Sequence, residues 1–214
     1  DKAYNTAFGY NALNALTSGK NNTAYGYGAA SALTEGSYNT FIGYDTGAKV
    51  TSGIGNTLIG YNISKGKDSV SNYNTIIGSY SGAGLGEANT IVGDDAATLN
   101  IGTWNTAVGY GVLHGKSAGN YKTAVGYHAM SSDSYLSSSV GSYNTAIGAN
   151  SCQALEGANN KTCIGYNVGS NGYTFKDNDK YKHLLDDDLE RIYIGYTSSR
   201  SAMGLLEVHN RKTY

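Results

Sequence analysis

Short apolar runs alternate with polar, glycine-punctuated stretches along this chain, and they do so on a fixed beat. A phrase of the form Asn-Thr-apolar-apolar-Gly recurs, with its threonine at Thr6, Thr23, Thr40, Thr57, Thr75, Thr90, Thr106, Thr123, Thr145 and Thr162. The steps are 17, 17, 17, 18, 15, 16, 17, 22 and 17 residues. A glycine stands three residues after each threonine, from Gly9 and Gly26 to Gly148 and Gly165. A degenerate copy, Arg191-Ile192-Tyr193-Ile194-Gly195, follows 30 residues after Thr162. Self-similarity at a fixed period of this size is the mark of a stacked repeat architecture.

Within each copy, Thr and two apolar residues predict a short β-strand, ended by Gly where the chain needs a bend or a positive φ. Two residues after the threonine stand Phe8, Tyr25, Ile42, Ile59, Ile77, Val92, Val108, Val125, Ile147 and Ile164. They are bulky and mostly β-branched, and are expected to point into the coil. The intervening residues, Ala7, Ala24, Phe41, Leu58, Ile76, Ile91, Ala107, Ala124, Ala146 and Cys163, alternate to the opposite face and are never polar. A half-buried strand alternates apolar with polar, so two apolar faces imply two covered faces. The second cover is expected from another copy of the chain.

A further apolar position, at Leu16, Leu33, Val50, Leu85 and Leu155, is expected to form another wall, followed by turns such as Thr17-Ser18-Gly19, Thr34-Glu35-Gly36 and Thr51-Ser52-Gly53. The expected fold is all-β: a parallel β-solenoid of about ten 17-residue coils, at about 4.8 Å per coil a rod on the order of 50 Å long. Residues 1–170 form the shaft, 171–190 an inserted loop, and 191–214 a last degenerate coil with an exit segment to a further domain. The first residues run straight into a repeat, as in a piece of something longer or a matured product.

Composition narrows the function. With 30 Gly, 20 Tyr, no Pro, 14% charged and 40% hydrophobic residues, the chain is too apolar for disorder and suits many short strands joined by turns. A formal net charge of −1 and the lack of a Lys/Arg cluster exclude nucleic acid as a partner. No apolar run is long enough for membrane insertion. Cys152 and Cys163 fit no zinc pattern and fall at different phases of the repeat, so they read as two small, semi-buried side chains, and their oxidation state stays open.

The phrases Asn5-Thr6-Ala7-Phe8-Gly9-Tyr10-Asn11-Ala12-Leu13, Asn105-Thr106-Ala107-Val108-Gly109-Tyr110 and Asn144-Thr145-Ala146-Ile147-Gly148 resemble the "NTAIGYNAL" repeats of bacteriophage tail-fibre proteins and related bacterial fibre proteins. They are similar, more distantly, to the "NSVAIG" repeats of trimeric autotransporter adhesin heads. The resemblance covers about residues 3–170. It implies a homotrimeric left-handed β-roll with the small motif residue, here the Ala7 to Cys163 series, at the trimer contact. The repeat here is longer than in the adhesin heads, and Phe41, Leu58, Ile76 and Ile91 replace the small contact residue mid-rod.

Candidate binding residues lie among the aromatics and the breaks in the repeat. Tyr10, Tyr27, Tyr44, Tyr61, Tyr110, Tyr127, Tyr166 and Tyr196 follow repeat glycines, while Tyr4, Tyr38, Tyr73, Trp104, Tyr121 and Tyr143 precede the threonine by two. Stacked coils place each set in a ladder, which can seal coil corners or offer flat faces to a glycan. Regularity favours packing, whereas insertions in a solenoid favour binding. The candidates for glycan or receptor contact are Trp104 of the aromatic set and, from the longer connections with Ser131–Ser139 and Tyr173–His183, Tyr135, Tyr173, Phe175, Tyr181 and His183. The run Asp177, Asp179, Asp186, Asp187 and Asp188 lacks the ligand spacing of a calcium loop and reads as solvated charge, with a short helix expected over 179–190. No metal or cofactor is implied.

Catalysis finds no support. His114, His128, His183 and His209 are scattered, no nucleophile signature occurs, and Glu35, Glu87 and Glu156 sit in turns without an evident partner. The expectation is a structural segment of a trimeric phage tail fibre contributing to host-surface recognition. Its partners would be two further copies of itself, neighbouring fibre domains, and a host-surface glycan or protein, on a virion or in the extracellular space. A bacterial surface adhesin or filament subunit is the alternative. An ice- or crystal-binding solenoid would need its threonines in a flat exposed rank.

Overall fold

The computed structural model describes residues 2–64, 72–82, 84, 86–98, 102–115, 119–131, 141–153, 159–168, 191–195 and 206–209. Each motif folds as a short strand. In chain order the strands are β1 (Thr6–Phe8), β2 (Thr23–Tyr25), β3 (Glu35–Ser37), β4 (Thr40–Ile42), β5 (Ser52–Ile54), β6 (Thr57–Tyr61) and β7 (Thr75–Ser79). They continue with β8 (Thr90–Asp94), β9 (Thr106–Val108), β10 (Thr123–Val125), β11 (Thr145–Ile147), β12 (Lys161–Ile164), β13 (Arg191–Ile194) and β14 (Leu206–His209). All but β3 and β5 form one twelve-stranded sheet in chain order, parallel from β1 to β13 and closed by the antiparallel β14. Registers pair equivalent positions, Thr6 with Thr23 and Thr145 with Thr162, and the degenerate copy joins with Ile192 opposite Thr162. The chain is a β-solenoid with a step of about 17 residues.

The repeat glycine ends each strand for a steric reason. Gly26 sits at φ 137°, and a Cβ there would collide with the Gly43 carbonyl of the next coil. The same clash recurs from Gly9 to Gly165, so glycines stack on glycines along the rod.

The strand faces are the reverse of those expected. Ala24, Phe41, Leu58, Ile76, Ile91, Ala107, Ala124, Ala146 and Cys163 are buried in the interior of their own coil, and so cannot contact a partner. Ala7, in the first coil, is exposed. The β-branched and aromatic series from Phe8 to Ile164 faces outward with the threonines, and none of its members is buried. Alanine suffices inside because a second residue shares the space. Six positions after the interior strand residue, small residues accompany large ones and large accompany small: Phe41 with Gly47, Leu58 with Ser64, Ile76 with Gly82, but Ala107 with Leu113 and Ala124 with Met130. A Cβ on Gly47 would lie 2.5 Å from the Phe41 ring, and one on Gly82 would lie 2.5 Å from Ile76 Cδ1. In these coils one member's bulk offsets the other's, as close packing favours, whereas in the second coil both members, Ala24 and Ala30, are small.

The motif asparagine faces inward too. Asn22, Asn39, Asn56, Asn74, Asn89 and Asn105 are buried and form a continuous ladder. Asn39 Nδ2 donates to Asn22 Oδ1 at 3.0 Å and to the Gly53 carbonyl at 2.9 Å, while Asn39 Oδ1 accepts from the backbone N–H and Nδ2 of Asn56. Two donors and an acceptor are thereby satisfied in a site water does not reach, which is what makes a buried carboxamide tolerable. Lys122 and Lys161 replace the asparagine in two coils; both are buried and keep the backbone bond to the preceding asparagine oxygen. Lys161 Nζ donates to the Asn159 carbonyl at 2.7 Å.

One open point is resolved and one further expectation is corrected. Cys152 and Cys163 form a disulfide, with Cα atoms 5.9 Å apart. Their different phases, the interior corner of one coil and the interior strand of the next, are what bring them together. By loop-closure entropy a bridge of this span is worth about 3 kcal/mol. Among the described residues only two coils have a second strand, and it is not at the apolar wall, where Leu16, Leu33 and Val50 are simply buried. It lies in the following turn, as β3 paired in parallel with β5 and bridged from Ser18 to Glu35. Leu85, Leu155, the acidic run and the expected helix over 179–190 lie outside the described residues.

Candidate interaction face

Alternation along the strand sets the outer surface. With Asn and the residue after Thr inside, Thr and the residue two after it form parallel ranks on the open face of the sheet. An aromatic rank borders them on either side, two residues before the threonine and four after it. Every large hydrophobic exposed among the described residues belongs to these ranks, except Ile54 and Tyr80. The ranks carry one charge among the described residues, Asp94.

The aromatic ranks are true ladders. Tyr10, Tyr27, Tyr44 and Tyr61 stack in sequence at 5.3, 5.2 and 5.4 Å between ring centroids, and Tyr110 stacks on Tyr127 at 5.6 Å. On the other border Trp104, Tyr121 and Tyr143 stack at 4.9 and 5.0 Å. These spacings follow the strand repeat and lie in the favourable range for offset aromatic pairs. Tyr80 meets Tyr61 edge-on, and a side-chain hydrogen bond in which the Tyr61 phenol donates to Tyr80 holds that phenol above its ordinary pKa.

The Trp104 border is conformationally costly. Tyr4, Tyr38, Tyr73, Trp104, Tyr121 and Tyr143 all adopt φ between 55° and 62°, the left-handed region that favours Gly and Asn. Asn21, Gly55 and Asn160 occupy the same corner in other coils, so aromatic side chains are not required there to make the turn.

Both ladders break over β7 and β8. The rank after the glycine carries Ser79 and Asp94, which hydrogen-bond to each other, in place of tyrosine. The rank before the threonine carries Ala88 between Tyr73 and Trp104. Beside Ala88, Asn72 Nδ2 donates to Glu87 Oε1 at 3.1 Å, so Glu87 does have a partner. Asp95 approaches His114 Nε2 at 3.5 Å. These breaks coincide with the two shortest steps of the repeat, 15 and 16 residues.

Of the binding candidates read from the sequence, Trp104 is placed on this face, 51% exposed. Tyr135, Tyr173, Phe175, Tyr181 and His183 lie outside the described residues. The trimer-contact series is interior, and the outward threonine and β-branched ranks take its place as the surface available to a partner. The buried asparagines were not singled out by chemistry, although their recurrence before the threonine was in plain view. Among the described residues no group of three or more His, Cys, Asp or Glu side chains could hold a metal ion, and no helix is long and apolar enough to cross a membrane. No protein-family model, curated protein or solved structure matches this chain.

Proposed function

We propose that the chain is a structural segment of a homotrimeric extracellular fibre that contributes to recognition of a host surface. The observation that carries this reading is the open face of the parallel sheet. Parallel sheets are ordinarily covered on both sides, and a contiguous apolar face of this kind marks an interaction surface. Here one side is the coil interior, while the other presents Ile42, Ile77, Val108 and Ile147 between threonines, part-exposed and almost without charge. Three such faces around an axis would cover one another. The Cys152–Cys163 disulfide suits an oxidising compartment, and the resemblance of the motif to phage tail-fibre repeats supports a fibre.

Sedimentation and native mass measurement test the proposal. The expected species has three times the 22.4 kDa chain mass. Val108→Lys, in the middle of the outer face, is expected to release a monomer that keeps its β-sheet circular dichroism. A wild-type chain that stays monomeric at micromolar concentration overturns the reading.

A second reading has a specific observation behind it. The threonines stand in an outward, in-register rank, as a lattice-binding surface requires. The tyrosine ladders beside that rank interrupt its flatness and weigh against it. Thermal hysteresis of the Val108→Lys monomer's parent at low concentration would favour ice over a partner chain.

A further inference from the structure

The border rank before the threonine lacks an aromatic at Asn21, Gly55, Ala88 and Asn160, and of these gaps the one at Ala88 is flanked by the Glu87–Asn72 pair and falls at the shortest step of the repeat. Trp104, Tyr121 and Tyr143 occupy three successive rungs, with ring planes within 11° and 5° of parallel. On the other side of Trp104 the next rung is Ala88, and the next aromatic is Tyr73, two coils away. The strand repeat therefore separates Tyr73 from Trp104 by about 10 Å, one ring's thickness more than a stacked pair. This is the space that Tyr121 fills between Trp104 and Tyr143.

We propose that this vacant rung is a saccharide subsite, in which the ring of a neutral or N-acetylated pyranose inserts over Ala88 between Tyr73 and Trp104. Three independent features converge on it. The walls are aromatic and open to solvent, with Tyr73 65% and Trp104 51% exposed. They are held at a left-handed corner where Gly or Asn would make the turn at lower conformational cost. The rim is polar: the Glu87 carboxylate, which accepts from Asn72 Nδ2, keeps lone pairs for hydroxyls, and Asn72, whose Oδ1 accepts from the Ile54 N–H, keeps a second amide N–H to donate. Apolar C–H faces of a pyranose suit the two ring walls, while its equatorial hydroxyls suit the rim. The Glu87 charge repels uronic and sialic acids, which sets the expected specificity. The vacancy also falls where the coil step shortens, the signal that the rod departs from pure packing.

The biological setting of the subsite rests on the fibre reading, but its chemistry does not. Trp104 is the single tryptophan of the chain, so its fluorescence reports on the notch directly. The wild-type protein is titrated with oligomers of glucose, galactose, N-acetylglucosamine and galacturonic acid. A saturable change in Trp104 emission is expected with at least one neutral or N-acetylated series, and at least 10-fold weaker binding of the galacturonic series. Ala88→Tyr should weaken the binding at least 10-fold by filling the rung, and it should fold, because Tyr73 and Tyr121 already adopt the same φ. Asn21→Tyr, which fills a different gap between Tyr4 and Tyr38, should leave binding unchanged.

The proposal is overturned if no oligomer changes the emission, if Ala88→Tyr binds as the wild type does, or if Asn21→Tyr weakens binding equally. A trimer that binds no saccharide would sink the subsite alone, whereas a monomer that binds through the notch would sink the fibre reading alone.

Discussion

The two faces of a single strand follow different rules. On the inner face, residue size swings from Ala107 to Phe41, and the corner residue opposite absorbs the difference, Leu113 in one case and Gly47 in the other. On the outer face, after the aromatic Phe8 and Tyr25 of the first two coils, Ile42, Ile59, Ile77, Val92 and Val108 hardly change in size, although they remain wholly or partly exposed. Inside, the strand residue and its corner partner offset each other in several coils, so single positions vary widely. Outside, the rank is β-branched from Ile42 onward, and among the described residues nothing in the chain covers it.

The sharpest way to test that difference is to place the same charge on each side of one strand. Phe41→Asp puts an unpaired carboxylate in a dry interior and removes a large buried ring, a loss of about 5 kcal/mol or more, and circular dichroism should show an unfolded chain. Ile42→Asp, one residue along, should retain the spectrum and melt as a cooperative β-protein, with any change confined to its assembly mass. Equal damage from both would erase the distinction.

Replacing the inner polar ladder should do less. Asn56→Ala strips the backbone N–H and Nδ2 of Asn74 of their acceptor and leaves Asn39 Oδ1 short of donors. Stranded buried groups of this kind cost about 3 kcal/mol together. Thr57→Ala, on the outer side of the same phrase, should cost under about 1 kcal/mol, and thermal melts of the pair give the ratio.

The mildest effect belongs to the outer aromatic ladder. Tyr27→Ala removes the stacks on Tyr10 and Tyr44 and should cost about 1–2 kcal/mol, since each pair is worth about 0.5–1.5 kcal/mol. A melting-temperature drop as large as that of Asn56→Ala would mean that the ladder holds the coils together as the core does.

The period, the glycine corners, the in-register threonines and the aromatic ladders were all legible in the sequence, because translation along the rod copies each position onto itself. The side each residue faces was not. Both strand positions are apolar, and β-branched residues suit an exposed sheet as well as a buried one, so bulk at Ile42 or Val108 did not mean burial. The missing signal was reciprocal: Phe41 goes with Gly47, Ile76 with Gly82, Ala107 with Leu113, and only interior neighbours need trade volume in this way. Cys152 stands six residues after Ala146, at that same interior corner, and from there meets Cys163 on the interior strand of the next coil. For the site, attention to long connections drew the eye to Tyr135, Tyr173, Phe175, Tyr181 and His183, whereas the break around Trp104 was written in coils that are too short, not too long.

In-register stacking lets each coil meet its own equivalent in the next, threonine on threonine and glycine on glycine. A 17-residue unit can be duplicated or lost with these backbone contacts intact, because the backbone path it hands on is the one it received. Rod length is thus open to change by simple slippage of the gene, and the outer letters of any rung can be rewritten separately from the rest. The outer ranks can thus change one coil at a time, on a scaffold whose inside never registers the change.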